Sequence, residues 1–269
     1  MGENPFGKTS KLSLTAIKKE EKTILEDVSF TAPYKIMQPF QKKDGAIEVM
    51  LLAASAGIME GDRQEFDFWI RQGADLKFIS QSYDKIHQMK KGCAKRQTKV
   101  VVEKGASFCF YPQPIIPFKD SAFEGAMKVY LEDETAEFCM SEIFSCGRYA
   151  SGEKFQYRYY HNLIEIYRKN KLIYRDNVRY EPSSFDMQGM GMYEGYTHLS
   201  SMFVSRSKEE KEDSFNQHVC QFLKEKKLEG DITRLAHGDY VIRIFGRRAQ
   251  ELEKANQKIL EYQKMLRHQ

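Results

Sequence analysis

Alternating hydrophobic and polar positions dominate the chain from about Thr23 onward. In one such segment Phe66, Phe68 and Ile70 share a face, and this period of two is typical of a half-buried β-strand. A nearly continuous apolar run at 46–53, broken only by Glu48, predicts another strand. The hydrophobic pattern therefore predicts a fold made mainly of strands.

Glycine turns separate these strands in a repeated local plan. At Gln72–Phe78, and again at Lys104–Phe110, a Gly-Ala pair is followed by a short strand that ends in Phe. Glycine readily adopts the positive φ that tight turns require. Because no helical pattern separates neighbouring strands, we expect successive hairpins that stack on one another, and a doubly wound α/β fold is excluded.

A proline-rich segment, Phe108–Phe118, leaves the end of one predicted strand. Pro112, Pro114 and Pro117 lack a backbone donor and are not expected inside a central strand ladder. Residues that precede proline prefer extended geometry. Because Ile115 and its neighbours are hydrophobic, we expect an extended strap that packs across the core. The alternative is that the segment only ends a sheet.

Two helices are predicted in the C-terminal region. The first, at 207–228, begins with a Ser-x-x-Glu capping box at 207–210. The second, at 247–267, carries apolar residues at alternating spacings of three and four, a pattern that packs against another helix. The two apolar faces consist of Phe215, Val219, Phe222, Leu223, Leu252, Ala255, Ile259, Tyr262 and Leu266. They either pack on the chain's own sheet or bind a partner helix.

Composition is consistent with one β-rich domain. The chain has 269 residues, of which 41% are hydrophobic and 30% charged, with 18 Phe and 15 Tyr. These values describe a globular protein with enough apolar material for a large core, and the aromatic content favours strands. We interpret residues 1–22, which are polar and basic, as an N-terminal segment, and residues 23–269 as a single β-rich domain.

Charge and hydrophobicity argue against two classes of partner. The net charge of +4 is too small and too evenly spread for nucleic-acid binding. No apolar run reaches the roughly 18 residues that cross a membrane. The five cysteines are irregularly spaced and do not form a disulfide framework. Since the first residues lack the apolar centre of a signal peptide, we expect reduced thiols and a cytoplasmic protein.

The sequence contains no familiar catalytic or metal-binding motif. The six histidines are scattered without an H-x-x-x-H pair, and no C-x-x-C occurs. A tight structural metal site is therefore not expected. The G-x-S-x-G turn that carries the nucleophile of many hydrolases is also missing.

Polar residues do recur beside glycines in otherwise apolar segments. They are Asp62, which follows Gly57 and Gly61, then Ser80, and then Glu142, Arg148 and Glu153 around Gly147 and Gly152. Charges on core strands are costly unless they are paired or hydrated. Two explanations stay open: Arg148 pairs with Glu142 or Glu153, or these polar residues line a water-filled passage.

Four motifs follow one another along the chain. They are Ser55-Ala-Gly57-x-x-x-Gly61-Asp62, Ser80-Gln81-Ser82-x-x-Lys85-Ile86, Tyr111-Pro112-Gln113-Pro114-x-Ile116-Pro117-Phe118 and Gly147-Arg148-x-x-x-Gly152-Glu153-x-Phe155. Their order and spacing, across roughly residues 23–185, resemble the urease accessory protein family UreD, also called UreH. One departure is Ala56, where the family usually has a second glycine. The C-terminal third resembles the family only in its layout of helices and strands.

The resemblance implies a β-helix-like fold with a pair of helices and a non-enzymatic role in urease maturation. Such a protein binds UreF, recruits the GTPase UreG through UreF, and docks on the urease apoenzyme within a hetero-oligomer. It also implies a water-filled route for nickel, which passes transiently, with no tightly bound cofactor. Asp62, Ser80, Glu142 and Glu153 are the candidates that line this route, and the two predicted helices are candidates for docking UreF.

Two other functions are compatible with the residues. A β-rich hydrolase or lyase would bring Asp62, Glu142 and Glu153 together, with two carboxylates about 5–10 Å apart in a closed pocket. A plain adaptor would have no metal route. A continuous polar passage, as opposed to a blind pocket or a dry core, separates the three hypotheses.

Overall fold

The computed structural model describes residues 9–205 and 214–267, and of residues 266 and 267 only the backbone. The predicted capping box at 207–210 and the side chain of Leu266 lie outside the described residues.

The described residues form strands throughout, with two α-helices near the C-terminal end. In chain order the strands are β1 (Thr9–Lys19), β2 (Lys22–Phe30), β3 (Tyr34–Ile36), β4 (Phe40–Gln41), β5 (Ile47–Ala53), β6 (Arg63–Ile70), β7 (Asp75–Ser80), β8 (Asp84–Ile86), β9 (Ala94–Val102), β10 (Ser107–Tyr111), β11 (Ile115–Pro117), β12 (Ala122–Leu131), β13 (Glu137–Ser145), β14 (Tyr159–Arg168), β15 (Lys171–Tyr180), β16 (His198–Val204), β17 (Glu229–Arg234) and β18 (Tyr240–Gly246). The helices are α1 (Ser214–Lys226) and α2 (Ala249–Arg267).

Within the described residues the strands build two facing sheets. The first sheet has the order β15-β14-β12-β9-β6-β1-β2, and the main path of the second is β17-β18-β16-β13-β10-β7-β5-β3. From β5 to β14 the chain alternates between the sheets, and each strand pairs in parallel with its equivalent one turn later. This confirms the mainly β, β-helix-like fold with two helices.

The predicted hairpins at the Gly-Ala turns are wrong in their pairing. The turns at Gly73 and Gly105 connect strands of opposite sheets, not neighbours in one sheet. Both glycines have positive φ, and the turns stack, since the Ser107 amide donates to the Ala74 carbonyl at 2.8 Å. The sequence pattern identifies strand, turn and strand but not the partner of each strand. Hairpins form at β1–β2, β14–β15 and β17–β18.

Phenylalanine rings from both sheets fill the space between them. Phe68 in the first sheet lies 4.9 Å from Phe78 and 5.1 Å from Phe108 between ring centroids, and Phe138 continues the row 6.0 Å from Phe108. All four are nearly inaccessible to solvent. Burial of one such side chain contributes about 1.5–3 kcal/mol, so this row is a major source of stability.

Strand structure begins earlier than the hydrophobic pattern predicted. Strand β1 starts at Thr9, within the segment interpreted as polar, and pairs in parallel with β6. Its residues Leu12, Leu14 and Ala16 are buried in the main core. In this strand only every second residue faces the core, and lysines and other polar residues occupy positions between and around the apolar ones. The segment is therefore polar on average although its inward positions are apolar.

The proline strap packs on the core, as predicted. Ile115 is 6% exposed and belongs to a cluster that includes Phe144 and Tyr160. The strap also forms a three-residue strand, β11, which pairs in parallel with β8 and reaches Pro117. The prolines were expected to stay outside strand pairing, and this expectation is wrong for Pro117. Proline is tolerated there because it is the last residue of a short strand, where its lack of a backbone N–H costs little.

The apolar faces of α1 and α2 pack on the second sheet of the same chain. Phe215, Val219, Phe222, Leu252 and Ile259 form one buried cluster with residues of β16, β17 and β18, and Tyr262 packs at its edge. The two alternatives were packing on the chain's own sheet and binding of a partner helix, and the structure shows packing on the chain's own sheet. The expectation that this face is open to a partner is corrected, because its side chains are already buried.

Replacing Ile259 with Ala should lower the free energy of unfolding by about 2–5 kcal/mol, because a fully buried side chain leaves a cavity. Lys254→Ala, at an exposed position of the same helix, should change it by less than about 0.5 kcal/mol. Urea denaturation followed by circular dichroism measures both. Equal effects would show that α2 is not packed as described.

Candidate functional site

Three cavities formed by described residues follow one another between the two sheets. The outer cavity has a volume of about 520 Å³ and is rimmed by the exposed residues Ser55 and Ser82. The inner cavity, of about 40 Å³, shares Asp84 and Arg96 with it. The far cavity, of about 20 Å³, shares Glu142 with the inner cavity. Neighbouring cavities in this series thus share polar lining residues, and each of the three linings contains carboxylate groups.

Asp62 and Ser80 both line the outer cavity. The Asp62 carboxylate accepts a hydrogen bond from the Met59 amide at 2.7 Å, and the Ser80 hydroxyl accepts one from the Gln113 amide at 2.8 Å. Partial burial raises the pKa of Asp62, while the Met59 amide opposes that rise. The cavity therefore contains a carboxylate held by the backbone of its own loop.

The glycines of the first motif shape the loop before Asp62. Gly57 has φ of +146°, and a Cβ there would lie 2.4 Å from the Lys85 carbonyl oxygen. Only glycine permits this close approach. Gly61 has φ of +84° in a turn with open space around it. The motif thus brings the Asp62 loop against β8.

Arg96 lies where the outer and inner cavities meet. Its guanidinium donates to Asp84 at 2.7 Å and to the Gln64 side-chain oxygen at 2.8 Å. Burial is the largest single influence and lowers the pKa of Arg96, but Asp84 and the neighbouring tyrosines together outweigh it, so the pKa is raised. The arginine is therefore charged at every physiological pH.

Glu142 lies at the junction of the inner and far cavities. Its carboxylate accepts a hydrogen bond from the Asn162 amide nitrogen at 2.8 Å. The Tyr160 hydroxyl lies beside it, with its pKa raised by burial and by the neighbouring carboxylate. Burial raises the pKa of Glu142 to about 7, so this carboxyl exchanges a proton near neutral pH.

The far cavity ends in a second ion pair. Asp176 accepts from Arg243 at 2.9 Å and from the Tyr174 hydroxyl at 3.2 Å. Half of the Arg243 side chain is exposed, so this pair lies at the protein surface. Carboxylates therefore line the outer cavity and the far cavity, in addition to Glu142 between them.

Glu153 is not brought to these cavities. It pairs with Arg148, its second oxygen accepts from the guanidinium at 2.8 Å, and it also accepts from the Lys119 amide at 3.1 Å. Gly147, at φ of +129°, approaches the Glu153 carbonyl oxygen, and Gly152 is left-handed at φ of +79°. The last motif is thus a structural turn, and of the open alternatives Glu153 is the partner of Arg148.

Tyr111 of the third motif joins the strap to α2. Its hydroxyl donates to the Glu253 carbonyl at 3.0 Å. Pro112, the next residue, lines both the outer and the inner cavity. Pro114 contributes through its carbonyl, which accepts from the Asp84 amide at 3.0 Å. This motif fixes one wall of the path.

The sequence analysis missed several polar residues that form one row across the first sheet. Gln64 pairs with Arg96, Arg96 with Gly125, and Gly125 with Asn162 in the strand register. We call these four residues the polar row. A Cβ at Gly125 would lie 2.3 Å from the Asn162 side-chain oxygen, so glycine makes room for the amide. The sequence does contain a signal for Arg96. It lies four residues before Val100 in the same strand, so the period of two places both side chains on the face that points between the sheets.

Comparison with known proteins identifies the family. A model of the family described as UreD urease accessory protein matches residues 8–269. This chain belongs to the UreD family. It is 37% identical to UreD of Acetivibrio thermocellus over 93% of the chain and 95% of that protein. It is 34% identical to UreH of Helicobacter acinonychis over 94% and 95%, and 39% identical to UreH of Helicobacter pylori strain P12 over 75% and 76%.

Family membership confirms the resemblance found in the motifs and extends it over nearly the whole chain. As a urease accessory protein, this UreD chain has a role in urease maturation. In the described ranges no three His, Cys, Asp or Glu side chains are grouped so that they could hold a metal ion. No helix in the same ranges has both the length and the apolar character needed to span a membrane.

Glu142→Gln should stabilise this UreD protein at high pH. The raised pKa means that the folded state favours the protonated carboxyl, so stability is full below about pH 4.5 and is lost as pH rises through about 7. A neutral glutamine keeps the acceptor for Asn162 and removes a penalty of up to about 3 kcal/mol at pH 8.

Urea unfolding at pH 5 and pH 8 measures the difference, which should be large only at pH 8. Glu26→Gln, on the exposed strand β2, is the matched control. A Glu142→Gln protein that is no more stable than the parent at pH 8 would contradict the assignment of a buried carboxylate.

Proposed function

We propose that this UreD protein is a non-enzymatic scaffold that passes nickel between its two sheets to the urease apoenzyme. Nickel is the cargo of the path and not a resident cofactor. The observation that carries the proposal is the succession of three cavities with carboxylates at Asp62, Asp84, Glu142 and Asp176. Carboxylates attract a divalent cation along the whole path.

Loose binding suits this role. The described linings of the three cavities contain oxygen ligands and neither histidine nor cysteine. Imidazole and thiolate bind late divalent metals more firmly than carboxylate does. Because Asp84 and Asp176 are also already paired with arginines, no position offers a complete coordination shell, and a cation can leave as readily as it enters.

The positions of the acidic residues favour this function over a hydrolase or lyase. That alternative needs Asp62, Glu142 and Glu153 in one pocket. Asp62 lines the outer cavity, Glu142 lines the inner and far cavities, and Glu153 pairs with Arg148 at a turn. The three carboxylates therefore do not converge on one substrate.

Membership of a urease accessory family supports a proposal about the partners. We propose that the chain binds UreF directly, recruits UreG through UreF and docks on apo-urease in a cytoplasmic hetero-oligomer. Because the apolar faces of α1 and α2 are buried, UreF has to use other surfaces, such as the outward side of α2, where Met265 is 57% exposed. Co-purification of UreF with the tagged full chain tests this interaction.

Asp62→Ala and Asp62→Asn should both lower urease activation on the order of tenfold, equivalent to about 1.4 kcal/mol, because each removes a charge that attracts the cation. Urease activity is measured in cells that express urease with its accessory proteins at limiting nickel. Pull-down of UreF and UreG should be unchanged. Asp27→Ala, on the exposed strand β2, is the control.

The two variants separate charge from structure. Asparagine keeps an oxygen that can accept from the Met59 amide, whereas alanine does not. Loss of activation with alanine alone would show that Asp62 only holds its loop. Full activation with both variants would refute a nickel path past Asp62.

A further inference from the structure

Arg96 is placed where a cation would have to pass between the outer and the inner cavity. Both cavities are lined by Arg96 and by its partner Asp84, and the volume falls from about 520 Å³ to about 40 Å³ across them. A cation that moves from the wide outer cavity towards Glu142 therefore passes Asp84. The Arg96 guanidinium is already bound to that carboxylate.

The guanidinium is held on several sides. Asp84 and Gln64 accept from it, and the rings of Phe66 and Phe123 lie 5.1 Å and 5.8 Å from its central carbon. Only 15% of the Arg96 side chain and 23% of the Asp84 side chain are exposed. A cation beside a partly buried carboxylate stabilises its charge, and at Asp84 the chain supplies that cation as Arg96.

Unpartnered hydroxyl groups lie on both sides of this pair. Tyr34 lines the outer cavity and Tyr160 the inner cavity. Both are more than nine-tenths buried, and within the described residues their hydroxyl oxygens make no hydrogen bond of normal geometry, although Gln64 lies near Tyr34 and Glu142 near Tyr160. Buried hydroxyls normally have partners. These two oxygens can therefore contact water or a cation that occupies the cavities.

We propose that Arg96 is a gate in the nickel path: its guanidinium occupies, on Asp84, the position that a divalent cation must take to reach Glu142. Passage then requires the cation to displace Arg96 from Asp84, so the arginine controls entry to the inner cavity and keeps nickel affinity low. This inference rests on the proposed function, because it assigns a gating residue to the same path.

Arg96→Gln tests the gate directly in the isolated full-length protein. Removing the charge leaves Asp84 available and takes away a positive charge that repels the cation. Titration with nickel chloride by calorimetry should therefore show at least about tenfold tighter binding than the parent. Arg96→Lys keeps a cation at this position and should bind nickel like the parent. Arg175→Gln, on the exposed outer face of the first sheet, is the matched control.

The double variant Arg96→Gln/Asp84→Asn should lose the gain, because the liberated ligand is Asp84. Nickel affinity of folded Arg96→Gln equal to that of the parent would overturn the proposal, as would a gain that survives the loss of Asp84. If Arg96→Gln does not fold, Gln64→Met removes one of the two acceptors of the guanidinium at similar volume. It should give a smaller gain, and parental affinity in folded Gln64→Met would overturn the gate.

Failure of the gate and failure of the nickel path give different results. Nickel affinity of the Arg96 variants decides the gate without any urease present. Urease activation by the Asp62 variants decides whether the path is used. Parental nickel affinity in Arg96→Gln together with low activation in Asp62→Asn would refute the gate alone.

Discussion

Parallel, in-register stacking of successive turns is the constraint on which the rest of this structure depends. When strands pair in parallel register, residues at equivalent positions of each turn line up across the sheet. Phe68, Val100 and Val129 form such an apolar row. The same register aligns the polar row, from Gln64 through Arg96 to Asn162. One rule therefore builds both a dry core and, a few residues away along the strands, a polar path.

Electrostatics explains why that path can exist inside a stable protein. An inward charge on a core strand is tolerated when a partner neutralises it, and Arg96 with Asp84 and Arg243 with Asp176 satisfy this condition. Glu142 has an amide partner but no cation in contact among the described residues, and burial raises its pKa. Within the described part of the chain Glu142 thus lacks a counter-ion of its own, and under the proposed function a passing cation would compensate its charge.

The sequence predicted the strands, the class of fold and the family, but not which strands pair. Alternation and glycine turns locate strands from local residues alone. The turn at Gly73 connects strands of different sheets, whereas the turn at Lys169 connects two paired strands of one sheet. This difference depends on long-range contacts, which no local pattern contains. For the site, motifs located Asp62 and Ser80, and Glu142 was found as a charge in an apolar strand. Arg96 was missed because it belongs to none of the four motifs. Glu153 was included because a motif does not tell a structural turn from a cavity wall.

Side chains that bind metal ions firmly and side chains that bind them weakly lie in different parts of the fold, and this bears on whether the protein would store a metal ion or pass it on. Cys109 and Cys139 stand side by side on neighbouring strands, but they line a different pocket, beneath α2 on the outer side of the second sheet. The polar groups that line the three cavities are carboxylate, amide and hydroxyl oxygens, the Arg96 guanidinium and the Lys85 ammonium, and the sulfur atoms in these linings are methionine thioethers. A thiolate between the sheets would bind a borderline metal firmly and slow its release. Thiols that lie outside the path therefore suit the proposed nickel conduit, because a cation that is only weakly attracted at each step can still reach the end.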